Sequence, residues 1–130
     1  MTAAPEPTVF VVEDDAAVRE SLLLLLKLKG YVALGFDSAE SFLAAARPGE
    51  SGCLLLDLRM PGKSGLELQA SLAERGIALP VIIVTAYGDV SAARNAFMAG
   101  ALDFLEKPVD ETALFAALAI GLPFYGRGQG

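Results

Sequence analysis

In this 130-residue sequence the side chains able to do chemistry fall in a few short places: Glu13-Asp14-Asp15, Asp57, Thr85 and Lys107. The chain holds no histidine and a single cysteine, Cys53. That excludes Ser-His and Cys-His nucleophile pairs, imidazole metal ligands and a histidine phospho-carrier. A lone cysteine can close neither an intramolecular disulfide nor a thiolate zinc site. Carboxylates, an ammonium, a hydroxyl and a hard metal ion remain. Carboxylates packed together repel one another unless something positive lies among them. Mg²⁺ suits best, since it takes oxygen ligands from one or two carboxylates and accepts phosphate oxygens. A carboxylate, Mg²⁺, an ammonium and a hydroxyl are what a phosphoryl group needs when it moves onto an aspartate. The metal and Lys107 offset charge on its equatorial oxygens, and Thr85 can donate a hydrogen bond to one of them.

The elements that must position these groups are legible as alternating strands and helices. Thr8–Val12, Tyr31–Phe36, Cys53–Leu56, Pro80–Val84 and Leu102–Leu105 read as strands. Val9–Val12, Cys53–Leu56 and Val81–Val84 are apolar at every position, which predicts burial on both faces, as in a parallel sheet between helical layers. Helices are expected near 15–29, 38–46, 65–75, 90–99 and 111–121. Asp37 with Glu40 and Ser64 with Glu67 have capping-box spacing, and Asp89 fits an N-cap. Gly30, Gly76 and Gly100 sit where helices would stop. The fold expected is α/β: a five-stranded doubly wound parallel sheet flanked by five helices. A closed barrel would need eight such units.

In such a sheet, ligands bind beyond the carboxyl ends of the strands. Glu13-Asp14-Asp15 follows the first strand, Asp57 the third, Thr85 the fourth and Lys107-Pro108 the fifth. Each residue alone has a blander use. Asp14 or Asp15 could cap a helix, Asp57 could open a turn before Met60-Pro61-Gly62, Lys107 could be a solvated lysine and Thr85 an ordinary strand residue. Their convergence on one edge of the sheet decides for a site.

At these residues the sequence resembles the receiver domain of bacterial two-component response regulators, the CheY-like family, whose fold is flavodoxin-like. The resemblance spans roughly Thr8 to Leu122. It is carried by Val-Val-Glu13-Asp14-Asp15, Leu-Leu-Leu-Asp57-Leu-Arg-Met-Pro-Gly, Val-Ile-Ile-Val-Thr85-Ala-Tyr-Gly-Asp and Ala-Gly-Ala-Leu-Asp-Phe104-Leu-Glu-Lys107-Pro108. Gly88-Asp89-Val90 and the Asp-Phe-Leu-Glu-Lys-Pro run look most like FixJ-like transcriptional regulators. The resemblance implies that Asp57 accepts a phosphoryl group from a histidine of a partner sensor kinase. It implies a Mg²⁺ site at Glu13, Asp14, Asp57 and the backbone carbonyl of Arg59, with Glu13 acting through a metal-bound water. It implies phosphoryl contact by Lys107, a switch pairing Thr85 with Phe104, and a cis Lys107–Pro108 bond. The acidic pair is Glu-Asp where Asp-Asp is commoner, and Phe104 lacks the hydroxyl that a tyrosine there would have. Arg59 and Tyr87 lie where family members vary in autodephosphorylation rate; their bulk predicts a phosphorylated lifetime of minutes or longer.

Composition agrees. The chain is 54% hydrophobic and 20% charged, enough for one core, with a net charge of −6. Its ten basic residues are scattered, which argues against direct nucleic-acid contact. No apolar run suggests a membrane span or a signal peptide, so the expected location is cytoplasmic. Residues 1–7 read as a disordered tail, 8–122 as the receiver domain, and 123–130 as a tail or the start of a linker to an output domain. In the last helix, Leu114, Leu118 and Leu122 mark the core face, while Phe115, Ala119 and Ile120 lie off it. This apolar surface is either covered by a further segment or, with helix four and strand five, serves a phosphorylation-dependent homodimer. Leu22–Leu26 is wider than one helical face needs. It means either a deeply buried first helix or an exposed Leu23 or Leu24 that helps dock a kinase. Two other functions fit less well. A haloacid-dehalogenase-like phosphatase needs a general acid two residues after the nucleophile, where Arg59 stands. A flavodoxin-like cofactor binder needs a phosphate-welcoming loop after the first strand, where Glu13-Asp14-Asp15 would repel one.

Overall fold

Alternation of strand and helix holds from the first described strand to the last described helix: β1 (Thr8–Val12), α1 (Ala16–Leu28), β2 (Val32–Phe36), α2 (Ala39–Ala45), β3 (Gly52–Leu56), α3 (Gly65–Glu74), β4 (Val81–Thr85), α4 (Val90–Met98), β5 (Asp103–Glu106) and α5 (Glu111–Gly121). The structure, a computed structural model, describes residues 7–49, 51–58, 60, 62, 64–86 and 90–122. The strands form one parallel sheet in the order β2-β1-β3-β4-β5. Winding therefore reverses between β1 and β3, and the crevice for a ligand opens above those two strands.

Both faces of the central strands are covered, as their unbroken apolar runs require. On one face Val9, Val11, Cys53, Leu55, Ile82 and Val84 pack against Leu22 and Leu26 of α1 and Leu114 and Leu118 of α5. On the other, Phe10, Val12, Leu54, Leu56 and Ile83 meet Phe42 and Leu43 of α2 and Leu68 and Leu72 of α3. Cys53 is a free, fully buried thiol, and burial pushes its pKa up to about 12, so the lone cysteine serves packing.

Local signals set the helix ends. Ser64 and Glu67 form the expected capping box on α3, Asp15 caps α1 by accepting from Val18 N–H at 3.1 Å, and Gly30, Gly76 and Gly100 follow their helices with φ of 91°, 70° and 101°. The Asp37–Glu40 box does not form. The chain enters α2 one residue later, with extended Ser38 as N-cap accepting from Ser41 N–H at 3.0 Å, while Asp37 accepts from the Ser41 hydroxyl. Asp89 lies outside the described residues. Four strand starts also move by one residue: β2 begins at Val32, β4 at Val81 and β5 at Asp103, each one later than expected, and β3 at Gly52, one earlier. The leucine run of α1 divides, with Leu22 and Leu26 buried and Leu24 60% exposed. Tyr31 and Phe115 stack at 5.8 Å, covering part of α5, whereas Ile120 stays exposed.

Candidate functional site

Strand register builds the site. Val12 pairs with Leu56, so the next residues, Glu13 and Asp57, leave the sheet side by side. Glu13 N–H donates to the Phe36 carbonyl at 3.0 Å, and Asp57 N–H donates to the Val12 carbonyl at 3.1 Å. On the far side of β3, Thr85 pairs with Glu106, and Lys107 N–H donates to the Thr85 carbonyl at 2.8 Å. These bonds extend the ladder one step past the strands, fixing the backbones that carry the polar groups.

Lys107 spans the crevice. Its Nζ donates to Asp57 Oδ2 at 3.1 Å and forms an ion pair with Glu13 Oε1. Glu13 and Asp57 are buried, at 2% and 6% exposure, while Asp14 faces solvent at the rim. Carboxylate oxygens of all three lie within 4.8 Å of one another. Burial pushes the Glu13 carboxyl from its ordinary 4.5 up to about 7, with the Asp57 charge adding to the rise; Lys107 and Asp15 N–H oppose it. For Lys107, burial pulls the pKa down, but hydrogen bonds and charge from Glu13 and Asp57 outweigh it and hold the ammonium above 10.5. Three carboxylates around one ammonium leave excess negative charge, and the donors are all oxygen. That set fits a hard divalent cation such as Mg²⁺.

Thr85 closes the site from β4. It is fully buried, and its Oγ1 has no hydrogen-bond partner among the described residues. A buried hydroxyl left unpaired costs free energy, and unlike Glu13 Oε1, which has the Lys107 ion pair, this one has no charge beside it to offset that cost among the described residues. Phe104 pairs with Ile83 in the β4–β5 ladder and lies half-buried, its ring 6.5 Å from that of Phe97. The Lys107–Pro108 bond is cis. Arg59 and Tyr87 lie outside the described residues.

Two contributors were not foreseen from the sequence. At Gly65, an added Cβ would fall 2.8 Å from the Asp57 carbonyl oxygen and 2.9 Å from Leu58 Cα, so glycine is required for α3 to start against the Asp57 loop. Arg19 donates from Nη1 to the Glu13 carbonyl at 2.8 Å and more weakly to the Asp14 carbonyl at 3.5 Å. The only sequence signal for it was an arginine one turn after the cap Asp15, within reach of the loop.

Fold and site together define a doubly wound α/β domain with an acidic, lysine-bridged crevice at its switch point, where such sheets bind ligands. Residues 9–119 match the family described as the response regulator receiver domain. The chain belongs to that family. It is 48% identical over 114 residues to the transcriptional regulatory protein FixJ of Azorhizobium caulinodans, covering 88% of this chain and 54% of that protein. It is 45% identical over 115 residues to the transcriptional regulatory protein TdiR of Thauera aromatica, covering 88% and 51%. The crystal structure of FixJ-N superposes with a TM-score of 0.86 at 40% identity, covering 92% of this chain and 96% of that one. The chain thus spans about half the length of the curated relatives it matches. No helix among the described residues is long and apolar enough to cross a membrane.

Proposed function

We propose that this chain is a phosphorylation-operated signalling switch in which Asp57 is the phosphoacceptor. The observation that supports this most is the placement of Asp57: buried, bonded to Lys107 at 3.1 Å and beside Glu13 and Asp14. A carboxylate oxygen of Asp57 attacks the phosphorus of a phosphohistidine on a partner sensor kinase. The P–O bond forms as the P–N bond breaks, and the imidazole leaves with the electron pair and takes up a proton. Lys107 is already in place to stabilise the charge on the transferred group. Glu13, Asp14, Asp57 and the carbonyl of Arg59 would hold Mg²⁺, which when bound supplies compensating positive charge to the phosphoryl oxygens.

The domain turns over no external substrate; it catalyses only its own phosphorylation and dephosphorylation. Thr85 Oγ1 donates to a phosphoryl oxygen once that oxygen arrives, and the half-buried Phe104 follows it inward. That movement changes the face formed by α4, β5 and α5, where Phe97, Met98, Leu102 and Ile120 are exposed. The consequence is homodimerisation through that face and, in a full-length regulator, control of transcription. The bulk of the residues two positions past Asp57 and Thr85 in the sequence, Arg59 and Tyr87, predicts a phosphorylated lifetime of minutes or longer. The test is incubation with acetyl phosphate and Mg²⁺, read by intact mass. A phosphoryl gain that requires Mg²⁺ and is absent from Asp57→Asn is expected; equal gain in that variant defeats the assignment.

A further inference from the structure

We infer that Arg19 is a positioning residue for the acidic loop and that Gly35, on the edge strand β2, is the slot that seats it. The inference rests on the reading of Glu13 and Asp14 as ligands for Mg²⁺. Neither carboxylate belongs to a regular element; both hang from the short turn between β1 and the cap of α1. Arg19, half-buried on α1, reaches back over that turn and donates from Nη1 to the Glu13 carbonyl at 2.8 Å, with the Asp14 carbonyl 3.5 Å from the same nitrogen. A guanidinium hydrogen bond to a carbonyl is charge-assisted and directional, so it fixes where the two successive side chains leave the backbone. The turn is tied from inside as well, since Asp15 N–H donates to Glu13 Oε2 at 3.1 Å.

The stem of Arg19 needs room to make this reach. A Cβ placed on Gly35 would lie 3.3 Å from both Cγ and Cδ of Arg19 and 2.7 Å from Cδ1 of Leu23. A Cβ there would press first on the end of Leu23 and then, by a few tenths of an ångström, on the arginine stem. Gly35 needs no special backbone conformation, so the space it leaves is its contribution. The chain of dependence runs from a glycine on the sheet edge, through the arginine stem, to two carbonyls and so to the carboxylates. Groups that orient metal ligands in this indirect way typically matter by roughly 10–100-fold in metal affinity.

The test is calorimetric titration of the intact chain with MgCl₂, alongside thermal unfolding. Arg19→Met, which keeps the stem and loses the donors, is expected to bind Mg²⁺ about tenfold more weakly, and Arg19→Lys to recover part of that loss. Gly35→Ala, which replaces no ligand and keeps the arginine but crowds Leu23 and the Arg19 stem, is expected to weaken binding in the same direction. Arg75→Met is the control: it removes a guanidinium bond of the same kind, to the Leu43 carbonyl at 2.9 Å, remote from the site, and should leave the Mg²⁺ affinity at the wild-type value. Wild-type affinity in both Arg19→Met and Gly35→Ala overturns the inference while the proposed function stands. Failure of the wild-type chain to bind Mg²⁺ removes both. Equal weakening in Arg75→Met reduces Arg19 to a general stabiliser and also overturns it.

Discussion

Glu13 and Asp57 are neighbours because of strand register, each being the first residue past the paired Val12 and Leu56, and both reach the one ammonium of Lys107. Two buried carboxylates sharing a single cation form a site whose charge is only partly balanced. Its stability therefore depends on pH, on that lysine and on a second cation.

The pH dependence follows from Glu13. Its carboxyl stands at about 7 in the fold against 4.5 in an unfolded chain, chiefly through burial. The folded state thus holds this proton more tightly than the unfolded state. The stability linked to it is fully present below pH 4.5 and is lost as pH rises through 7. Metal-free protein is expected to lose on the order of 2 kcal/mol over that window. Urea unfolding at a series of pH values will show the slope, and Glu13→Gln should flatten it. A slope that persists unchanged in that variant would assign it to other groups.

Lys107→Met removes the only charge seen opposing the two carboxylates among the described residues. Breaking a buried pair from one side leaves uncompensated charge. We expect the metal-free variant to lose roughly 3 kcal/mol at pH 8, the low end for such a pair because the Lys107 side chain is 25% exposed. Mg²⁺ should stabilise the variant more than the wild type, because a ligand that binds only the folded state adds stability by mass action. Thermal melts with and without MgCl₂ measure both effects. An equal Mg²⁺ increment in the two proteins would mean that lysine and metal do not share the same carboxylates.

The architecture was readable because the central strands are buried on both faces: Val9–Val12, Cys53–Leu56 and Val81–Val84 have no polar position to misplace. Convergence of Glu13, Asp57, Thr85 and Lys107 on one edge was readable for the same reason, since each ends or follows a strand. What was not readable depends on side-chain reach across elements. The Arg19 bonds, the Gly65 contact with Asp57 and the unpaired Thr85 hydroxyl appear only when strands are paired and helices packed. The α2 cap shows a smaller failure of the same kind: Asp37 and Ser38 are both good caps, and the extended backbone at Ser38 selects it.

Around the edge strand β5, Met98 is 83% exposed, Ile120 65% and Phe97 46%. Exposed apolar side chains on the helices either side of β5 in sequence, α4 and α5, favour a partner surface if they meet in one patch on phosphorylation, which predicts a dimer through this face. Sedimentation velocity with the phosphoryl mimic beryllofluoride and Mg²⁺ should show the mass doubling, and Ile120→Asp should remain monomeric under the same conditions. A wild-type chain that stays monomeric with the mimic at high concentration counts against this face as the dimer surface.

Thr85 separates stability from switching most sharply. Its hydroxyl is fully buried and lacks a partner among the described residues, so in the unphosphorylated state it is a cost. Thr85→Val replaces that hydroxyl with a methyl group of similar shape in an apolar strand. The variant should be more stable by about 1 kcal/mol, a rise in Tm of about 4 °C. It should still gain a phosphoryl group on Asp57, since the nucleophile and Lys107 are untouched. It should fail to dimerise, because nothing on β4 answers the new oxygens. Loss of stability in Thr85→Val, or dimerisation at wild-type strength, would show that the hydroxyl has a partner in the resting state or no part in the switch.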